Sequence, residues 1–580
     1  MFNKYYQEEL AYLREMGAEF SKAHPDAAHF LGEAGADPDV ERLLEGFAFL
    51  TARIRQKLDD DFPELLQDLV EIFWPHYLRP LPSLSIVQFE ALPQAAKEAR
   101  NIPRGAEIQS VPVDGTPCRF RSVYDVALYP WSLEAVTLRT SAPPQLRLRL
   151  KPAEGVSLRK LPPSTLRLHL AGDAASSRGL YLLLRRYLKG ISVQPAGASQ
   201  ALPLPRAAVR PVGFSPEEAL LPWPAVSFPG FRLLHEYFGF PSKFMFLDIT
   251  GLEGLASLPD APAVDLLFDL TRVPSDMPPI STANVLLHCA PAVNLFEHDA
   301  NPIRLDQERL EYRVLPSGEN PQHYEVYSLD KVTGLLKGSG KPQEYRPLHR
   351  FAARGAGDEA RYYRHRIARG LTGERLDLFL SPLPPDAPGA APEVETLSLE
   401  LTCSNGPMPA KLKIGDLNKA GASAPAFAKF RNVTPPTRPV PPPLGSGLYW
   451  KLLSHLSVNY LSLVDLETLR GVLALYHFRA RVDRQAETSL RLMLEGLKRV
   501  AAAPATRLLD GSPVRGLHVE VDLDEDGFGG EGEAYLFGAI LDEFLSQYVT
   551  LNAFCRLTVR GLKTGEIHPW PMRTGARAAL

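Results

Sequence analysis

The feature that most constrains this fold is a change in the spacing of apolar residues near position 84. Before it, apolar residues recur at every third or fourth position, as in Tyr6, Leu10, Leu13 and Phe20, which predicts amphipathic helices. After it, apolar and polar residues alternate, which predicts strands with one solvated face. A chain of 580 residues that changes period in this way is expected to form several domains of the α+β class.

The second helical pattern is the stronger one, because its apolar stripe is about five turns long. The dipeptide Asp37-Pro38 is a favourable helix start. A separate third helix is expected from Asp61, which forms a capping-box pattern with Glu64, and Pro75 should end it. The stripe consists of Val40, Leu43, Leu44, Phe47, Leu50, Ile54 and Leu58. It fits either an intramolecular core or packing on a partner helix.

Clean alternation predicts strands at 146–150, 166–170 and 397–401, with arginine or other polar side chains on the outer faces of the sheets. Proline and glycine are dense between such segments. The 54 prolines make up about 9% of the chain, nearly twice the average share of about 5%. Prolines avoid the interior of helices and central strands. Short strands joined by loops are typical of antiparallel β-sandwich-like domains, which we expect in the centre of the chain.

The densest proline run, at 435–443, predicts an extended joint between domains. An SH3-type ligand is the alternative, which a directly following packed segment disfavours. After it the pattern is α/β, with helices expected at 452–463, 466–475 and 534–548 and strands at 517–523 and 555–559. The predicted domains are an N-terminal helical region at 1–83, β-rich domains at 84–230 and 231–434, the proline-rich joint at 435–445 and a C-terminal α/β domain at 446–580.

Charge and cysteine usage exclude several classes of protein. The net charge of −3 offers no reservoir of positive charge for nucleic acid. The N-terminus lacks the apolar core of a secretory signal, and the longest stretch without charged residues, 277–296, contains three prolines, so a membrane-spanning helix is not expected. Four distant cysteines without a CxxC predict reduced thiols in a soluble, cytoplasmic protein. These are Cys118, Cys289, Cys403 and Cys555.

One motif matches a metal site. Residues 522–533 satisfy the calcium-loop pattern of an EF-hand, with acidic side chains at Asp522, Asp524, Asp526 and Glu533. The preceding residues alternate as a strand, however, whereas an EF-hand loop follows a helix. We therefore expect an acidic strand-to-helix turn with Glu531 or Glu533 in the first turn of the helix. A calcium-dependent binding protein is the alternative.

Other searches for chemistry assign no catalytic, cofactor-binding or metal-ligating residue. The HExxH and GxSxG patterns are missing, and the glycine-rich segment 334–342 has Pro342 where a phosphate loop needs serine or threonine. A hydrolase acting on the cell wall remains the enzymatic alternative. The basic and aromatic run at 361–366 predicts a solvated strand face or a protein contact, with stacking on nucleic-acid bases or anionic headgroups as the alternative.

Longer sequence blocks carry a resemblance to a known family. They are YYQEELAYLREMGAEF (5–20), DVERLLEGFAFLTARIRQKLDDDFPEL (39–65), PHYLRPLPSLSIVQFE (75–90), LLHEYFGFPSKFMFLDITGL (233–252), PAVNLFEHDANPIRLD (291–306), EVYSLDKV (325–332), LLSHLSVNYLSL (452–463) and WPMRTG (570–575). On these blocks the chain resembles the TssF family, also called VasA or ImpG. Its members are baseplate subunits of bacterial type VI secretion systems and are similar to wedge proteins of contractile phage tails. The similarity is thin at about 130–210 and 350–440.

The resemblance implies a structural, non-enzymatic subunit without a cofactor. Two copies would join one TssG in a wedge, and wedges would form the platform from which the contractile sheath and tube polymerise. It also implies contacts with TssK, TssE and the VgrG spike, in a baseplate docked at the cytoplasmic face of the inner membrane, without membrane insertion or nucleic acid. The predicted partner surface comprises Tyr6, Leu10, Leu13, Phe20, the seven stripe residues, Trp74 and Tyr77.

Overall fold

A computed structural model describes most of the chain. The described residues are 6–7, 9–13, 16, 38–92, 97–157, 162–305, 309–336, 342–348, 361–369, 375–383, 395–444, 448–449, 451–452, 464–509, 512–551 and 553–575, without the side chains of 38, 41, 54–65, 336, 369, 509 and 512. The chain divides into two compact units. The first unit consists of Met1–Phe73 and Leu444–Ser454, and the second of Trp74–Pro443 and His455–Leu580.

Three of the helices begin at an aspartate that serves as N-cap. Asp173, Asp465 and Asp483 each accept a hydrogen bond from a backbone N–H in the first turn of the helix that follows, which satisfies a donor that has no partner inside the helix. The α-helices that lie completely within the described residues are α1 (Pro38–Phe73), α2 (Ala174–Arg185), α3 (Pro229–Gly239), α4 (Leu466–Tyr476), α5 (Arg484–Gly496) and α6 (Glu531–Ser546). The described residues between 6 and 16 and between 448 and 452 are also helical.

Helix α1 differs from the prediction. It begins at Pro38, as Asp37-Pro38 predicts, but it continues without a break to Phe73. The separate helix expected from Asp61 is wrong. Pro63 lies inside the helix, where it removes one backbone hydrogen bond but has a φ angle that suits a helix, and the residues that follow it, Glu64, Leu65 and Leu66, are good helix formers. The apolar spacing therefore extends over one helix of 36 residues.

The strands are numbered in chain order. Those of the first half are β1 (Leu84–Ala91), β2 (Arg100–Ile102), β3 (Glu107–Val113), β4 (Thr116–Ser122), β5 (Val126–Leu128), β6 (Trp131–Arg139), β7 (Gln145–Pro152), β8 (Thr165–Leu170), β9 (Leu188–Pro195), β10 (Leu202–Leu204), β11 (Val209–Pro211), β12 (Phe246–Thr250), β13 (Val264–Leu270), β14 (Val285–Leu287) and β15 (Cys289–Val293). Those of the second half are β16 (Phe296–Asp299), β17 (Ile303–Leu305), β18 (Tyr312–Val314), β19 (Glu325–Leu336), β20 (Pro342–Pro347), β21 (Arg361–Arg369), β22 (Leu376–Pro382), β23 (Glu395–Ser404), β24 (Leu417–Ala420), β25 (Ala428–Asn432), β26 (Leu497–Leu509), β27 (Ser512–Leu523), β28 (Ala553–Gly561), β29 (Ile567–Pro569) and β30 (Arg573–Thr574).

These strands form several sheets, and the pairing is antiparallel except between β20 and β21 and between β27 and β28. One sheet has the order β24-β3-β4-β15-β1-β25, so it joins residues from both ends of the central region. Two others have the orders β10-β9-β13-β7-β6 and β11-β12-β8-β14. A fourth has the order β16-β23-β19-β20-β21-β22-β18, with β17 on β23. The predicted antiparallel β-rich centre is confirmed.

The predicted alternation is found in the sheets. In β7, Leu146, Leu148 and Leu150 are fully buried, while the intervening arginines reach the neighbouring strand β13. Both Arg147 and Arg149 donate to the carboxylate of Asp265, at 2.6 to 2.9 Å. On the outer face of this sheet, neighbouring strands are therefore joined by charge-assisted hydrogen bonds rather than by apolar contacts.

The C-terminal region mixes helices with a sheet of order β26-β27-β28-β29, in which β30 pairs with β28. Helices α4 and α6 and strands β27 and β28 lie at the predicted positions. Of the helix predicted at 452–463, residues 453–463 lie outside the described residues. The predicted α+β class, with a C-terminal α/β region, is confirmed.

The proline-rich segment 435–443 is extended and attached to the start of β1. Leu81 and Val440 form an isolated β-bridge, and Thr437 N–H donates to the carbonyl of Leu84 at 2.9 Å. The hydroxyl of Ser83 donates to the carbonyl of Thr437 at 2.6 Å. The prolines therefore lie in a fixed segment at the edge of the second unit.

Three distant segments of the second unit meet in a buried aromatic cluster. The ring of Tyr77 lies 4.9 Å from that of Phe478, edge to face, and the ring of His76 lies 3.9 Å from that of Trp223. Such aromatic pairs add stability beyond their buried area. The cluster fixes the segment after α1, the segment before α3 and the end of α4 on one another.

Two sequence expectations concern the whole chain. All four cysteines are buried and none is joined in a disulfide, as predicted. Among the described helices, none combines the length and the apolarity needed to cross a bilayer.

Candidate functional site

The candidate site is an exposed apolar face on α1, formed by Leu43, Phe47 and Leu50. These side chains are 74%, 57% and 59% exposed. Because successive residues of an α-helix are rotated by about 100°, the three side chains fall within a sector of about 60°. Contiguous apolar side chains on a surface typically mark a protein-interaction site. We call this set the α1 apolar face.

The buried side of the same helix lies elsewhere. Ala48 and Ala52 are fully buried, and Leu44 is half-buried. On a helix these residues point away from Leu43, Phe47 and Leu50 by roughly 60° to 180°. The chain therefore buries only part of the predicted apolar stripe, and the exposed part is available to another molecule.

The other residues of the predicted partner surface are not exposed together. Leu10, Trp74 and Tyr77 are buried, and Tyr77 belongs to the aromatic cluster, so a partner cannot reach these three side chains. They are corrections to the predicted surface, because an apolar residue next to a helix end can equally well fill a core. Tyr6, Leu13 and Val40 are half-buried. Phe20 and the side chains of Ile54 and Leu58 lie outside the described residues.

Sequence reasoning missed several exposed apolar side chains in the helical unit. Tyr12 and Met16 are 59% and 46% exposed, four positions apart, and Phe49 is 45% exposed. Ile72 and Phe73 are more than one-third exposed at the end of α1. The spacing of Tyr12 and Met16 is a helical signal that could have been found, since residues four apart share a helix face.

A buried ionic triad lies in the second unit, on α3 and the turn that follows it. Glu236 accepts from Arg232 at 3.0 Å and from Lys243 at 2.5 Å, and its other oxygen accepts from the backbone N–H of Leu220 at 2.7 Å. All three charged residues are at most 5% exposed. Burial lowers the pKa of Lys243 to about 8, against the opposing effect of Glu236. The triad ties α3 to residues 218–220.

The acidic turn at 522–533 is engaged by the protein itself. Asp522 forms a bidentate pair with Arg560, at 2.6 and 3.0 Å. Asp524 caps the short helix Glu525–Phe528, and Asp526 pairs with Lys563. Glu533 accepts from Tyr237 at 2.6 Å. The predicted strand-to-helix turn is confirmed, with Glu531 and Glu533 in the first turn of α6. Within the described part of the chain, no group of three histidine, cysteine or acidic residues is arranged to hold a metal ion.

The basic and aromatic run forms strand β21. Arg361 donates to the buried carboxylate of Glu395 and to the hydroxyl of Tyr345, and Arg366 donates to Glu311 at 2.8 Å. Tyr363 is buried. The two arginines are therefore paired with carboxylates of this protein, as expected of a strand face, whereas a nucleic-acid surface would present them to phosphates.

Buried histidines make the second unit sensitive to acid. Burial lowers the pKa of His235 to about 4, with Glu236 opposing the shift. Because the folded-state pKa lies below the ordinary value of 6.5, the native state binds fewer protons, and stability is lost as the pH falls from 6.5 towards 4. This single residue is expected to lower the free energy of unfolding by about 2 kcal/mol between pH 7 and pH 5.

Thermal unfolding of the wild type and of His235→Phe at pH 7, 6 and 5 tests this expectation. Phenylalanine keeps the ring next to Phe478, whose centroid lies 4.7 Å from that of His235, and removes the titrating nitrogens. We expect the variant to lose less stability than the wild type as the pH falls. Parallel pH profiles would show that His235 does not contribute to acid sensitivity.

Comparison with known proteins identifies similar chains. A family model described as "Type VI secretion system, TssF" matches residues 1–577. The chain is 32% identical to the type VI secretion system component TssF1 of Pseudomonas aeruginosa, over 100% of this chain and 99% of that protein.

Two solved structures contain similar chains. One is an electron cryomicroscopy structure of the type VI secretion system TssK-TssF-TssG baseplate subcomplex, with a TM-score of 0.76 and 34% identity over 93% of this chain and 99% of that one. The other is the baseplate complex from the type VI secretion system, with a TM-score of 0.64 and 30% identity over the whole of both chains.

Proposed function

This chain belongs to the TssF family of type VI secretion systems, and from that premise we propose that it is a structural subunit of the baseplate. Two copies would assemble with one TssG into a wedge, and wedges would form the platform from which the contractile sheath and tube polymerise. The subunit acts through protein contacts and catalyses no reaction. The similarity to chains in solved baseplate assemblies supports this proposal.

The observation that carries the proposal is the α1 apolar face. Leu43, Phe47 and Leu50 are more than half exposed, although fully burying such a side chain stabilises a protein by about 1.5–3 kcal/mol. Helices with an apolar stripe associate by packing side chains into the grooves of a partner helix. We propose that TssG and the second copy of this chain cover the face in a shared helical bundle.

Further contacts follow from the same premise. The subcomplex that contains a similar chain also holds TssK, which supports TssK as a partner. Contacts with TssE and the VgrG spike, and a baseplate docked at the cytoplasmic face of the inner membrane, complete the proposal. The near-neutral net charge suits protein partners better than nucleic acid.

Native mass spectrometry of the chain co-expressed with TssG and TssK tests the stoichiometry. We expect a stable species with two copies of this chain for each TssG. A species with one copy, present over the same range of concentrations, would refute the two-copy wedge. The absence of any species that contains TssG would refute the assembly role itself.

A further inference from the structure

A cavity of about 500 Å³ lies in the second unit, between the six-stranded sheet and the segment before α3. On the sheet side it is lined by Arg121 and Ser122 at the end of β4 and by Val293 at the end of β15. On the other side it is lined by residues 219–225. Its volume lies in the usual range of binding pockets, about 300–1,000 Å³.

The charged residues that line this cavity are cations. Among the described residues, the lining includes Arg104, Arg121 and Arg232 but no aspartate or glutamate. Arg232 is committed to Glu236 and to the carbonyl of Phe214. Arg104 is exposed and donates one hydrogen bond, at 2.9 Å, to the carbonyl of Glu217, which leaves further donors on its guanidinium. The cavity is therefore complementary to an anion.

Arg121 is the least compensated of these groups. It is half-buried, and within the described parts of the chain its guanidinium has no hydrogen-bond or ion-pair partner. Burial lowers its pKa, which records the cost of removing this cation from water, while Tyr327, Glu297 and Asp330 oppose the shift. A partly desolvated guanidinium with five unused donors binds a carboxylate strongly, because its planar fork can donate two parallel hydrogen bonds.

The opposite wall is apolar and conformationally restricted. Leu220 and Leu221 are buried, and half-buried Trp223 stands between Pro222 and Pro224. Proline fixes the backbone φ angle, so this wall loses little conformational entropy on binding. Tryptophan and arginine are also the side chains that most often dominate binding energy at protein interfaces.

We propose that this cavity binds an acidic peptide segment of another protein chain. A carboxylate of the segment would pair with Arg121 and Arg104, and a neighbouring apolar side chain would pack on Trp223 and Leu221. The cation pair and the apolar wall together match an acidic residue next to an apolar one better than they match a small inorganic anion, which would leave the wall unused. That the segment belongs to another baseplate subunit rests on the proposed function.

Fluorescence polarisation with the full-length chain tests the site. The probe is a fluorescein-labelled hexapeptide amide of alternating glutamate and leucine residues. We expect Arg121→Gln to raise the Kd at least about tenfold, since a hydrogen bond to a charged group contributes about 1.5–3 kcal/mol. Trp223→Ala should also raise it. Arg210→Gln, which changes an exposed arginine that does not line the cavity, should leave it unchanged.

Three outcomes would overturn the proposal. One is an unchanged Kd in Arg121→Gln when its unfolding midpoint matches that of the wild type. Another is equal binding of a probe in which glutamine replaces glutamate. The third is displacement of the probe by millimolar inorganic phosphate, which would indicate a site for free anions. Because this assay needs no other subunit, failure of the 2:1 assembly would leave its result valid, and the reverse also holds.

Discussion

Replacing Phe47 and Leu50 together with aspartate is expected to abolish the complex with TssG while the chain stays folded. In a helical bundle the two side chains would become buried, and burying each contributes about 1.5–3 kcal/mol. An aspartate at either position would have to lose its hydration without a partner, which costs several kcal/mol more. The expected loss of affinity is therefore about 10³-fold or more. Because both side chains are more than half exposed, the isolated chain should keep its unfolding midpoint.

Size-exclusion chromatography of co-expressed proteins measures this loss. Arg53→Asp is the matched control, since it places an aspartate at an exposed position of α1 outside the α1 apolar face. Phe47→Leu is the second control, because it keeps the face apolar. Both controls should elute with TssG. Elution of the double aspartate variant at the wild-type position would show that the face does not contact a partner.

Replacing Glu236 with glutamine is expected to destabilise the fold strongly for a single substitution. Glutamine keeps an acceptor for the N–H of Leu220 but leaves Arg232 and Lys243 as buried cations without a counter-charge. Breaking a buried ion pair in this way costs about 3–5 kcal/mol. The effect should appear as a lower midpoint of urea unfolding, followed by tryptophan fluorescence.

A second substitution separates the charge effect from a packing defect. In Glu236→Gln/Lys243→Met one of the unpaired cations is removed, so the double variant should recover part of the lost stability. The control is Glu134→Gln, whose exposed pair with Lys151 spans 3.9 Å and should contribute less than about 1 kcal/mol. Equal midpoints for Glu236→Gln and Glu134→Gln would show that the triad does not stabilise the fold.

The period of apolar residues predicted those helices and strands that have one apolar and one polar face. Strand β7 was predictable because leucine alternates with arginine, and α4 and α6 because their apolar residues recur with the helical period. The continuity of α1 through residue 61 was not, since a capping-box pattern and an internal proline resemble a helix start even where the helix continues.

Long-range pairing and exposure could not be predicted. Val87 lies opposite Asn432 in the six-stranded sheet, and no local pattern specifies such a partner. The apolar stripe of α1 was visible in the sequence, but which of its edges is covered depends on tertiary packing. Arg121 lies in an alternating strand like many other arginines, and only the surrounding fold leaves its guanidinium without a hydrogen-bond or ion-pair partner among the described residues.

The attachment of segment 435–443 to the start of β1 has a mechanical consequence. Strands β1 and β25 are adjacent and antiparallel, and the ends that lead to Trp74 and to Pro443 lie at the same end of the sheet. A pulling force applied through Phe73 and Leu444 would therefore load both strands along their length. When both strands are pulled in the same direction they move together, so the load falls on the hydrogen bonds between β1 and its other neighbour, β15. These bonds run perpendicular to the force and would be strained together in shear, rather than opened one after another. The sheet is thus suited to bear tension applied where the chain enters and leaves it at Trp74 and Pro443.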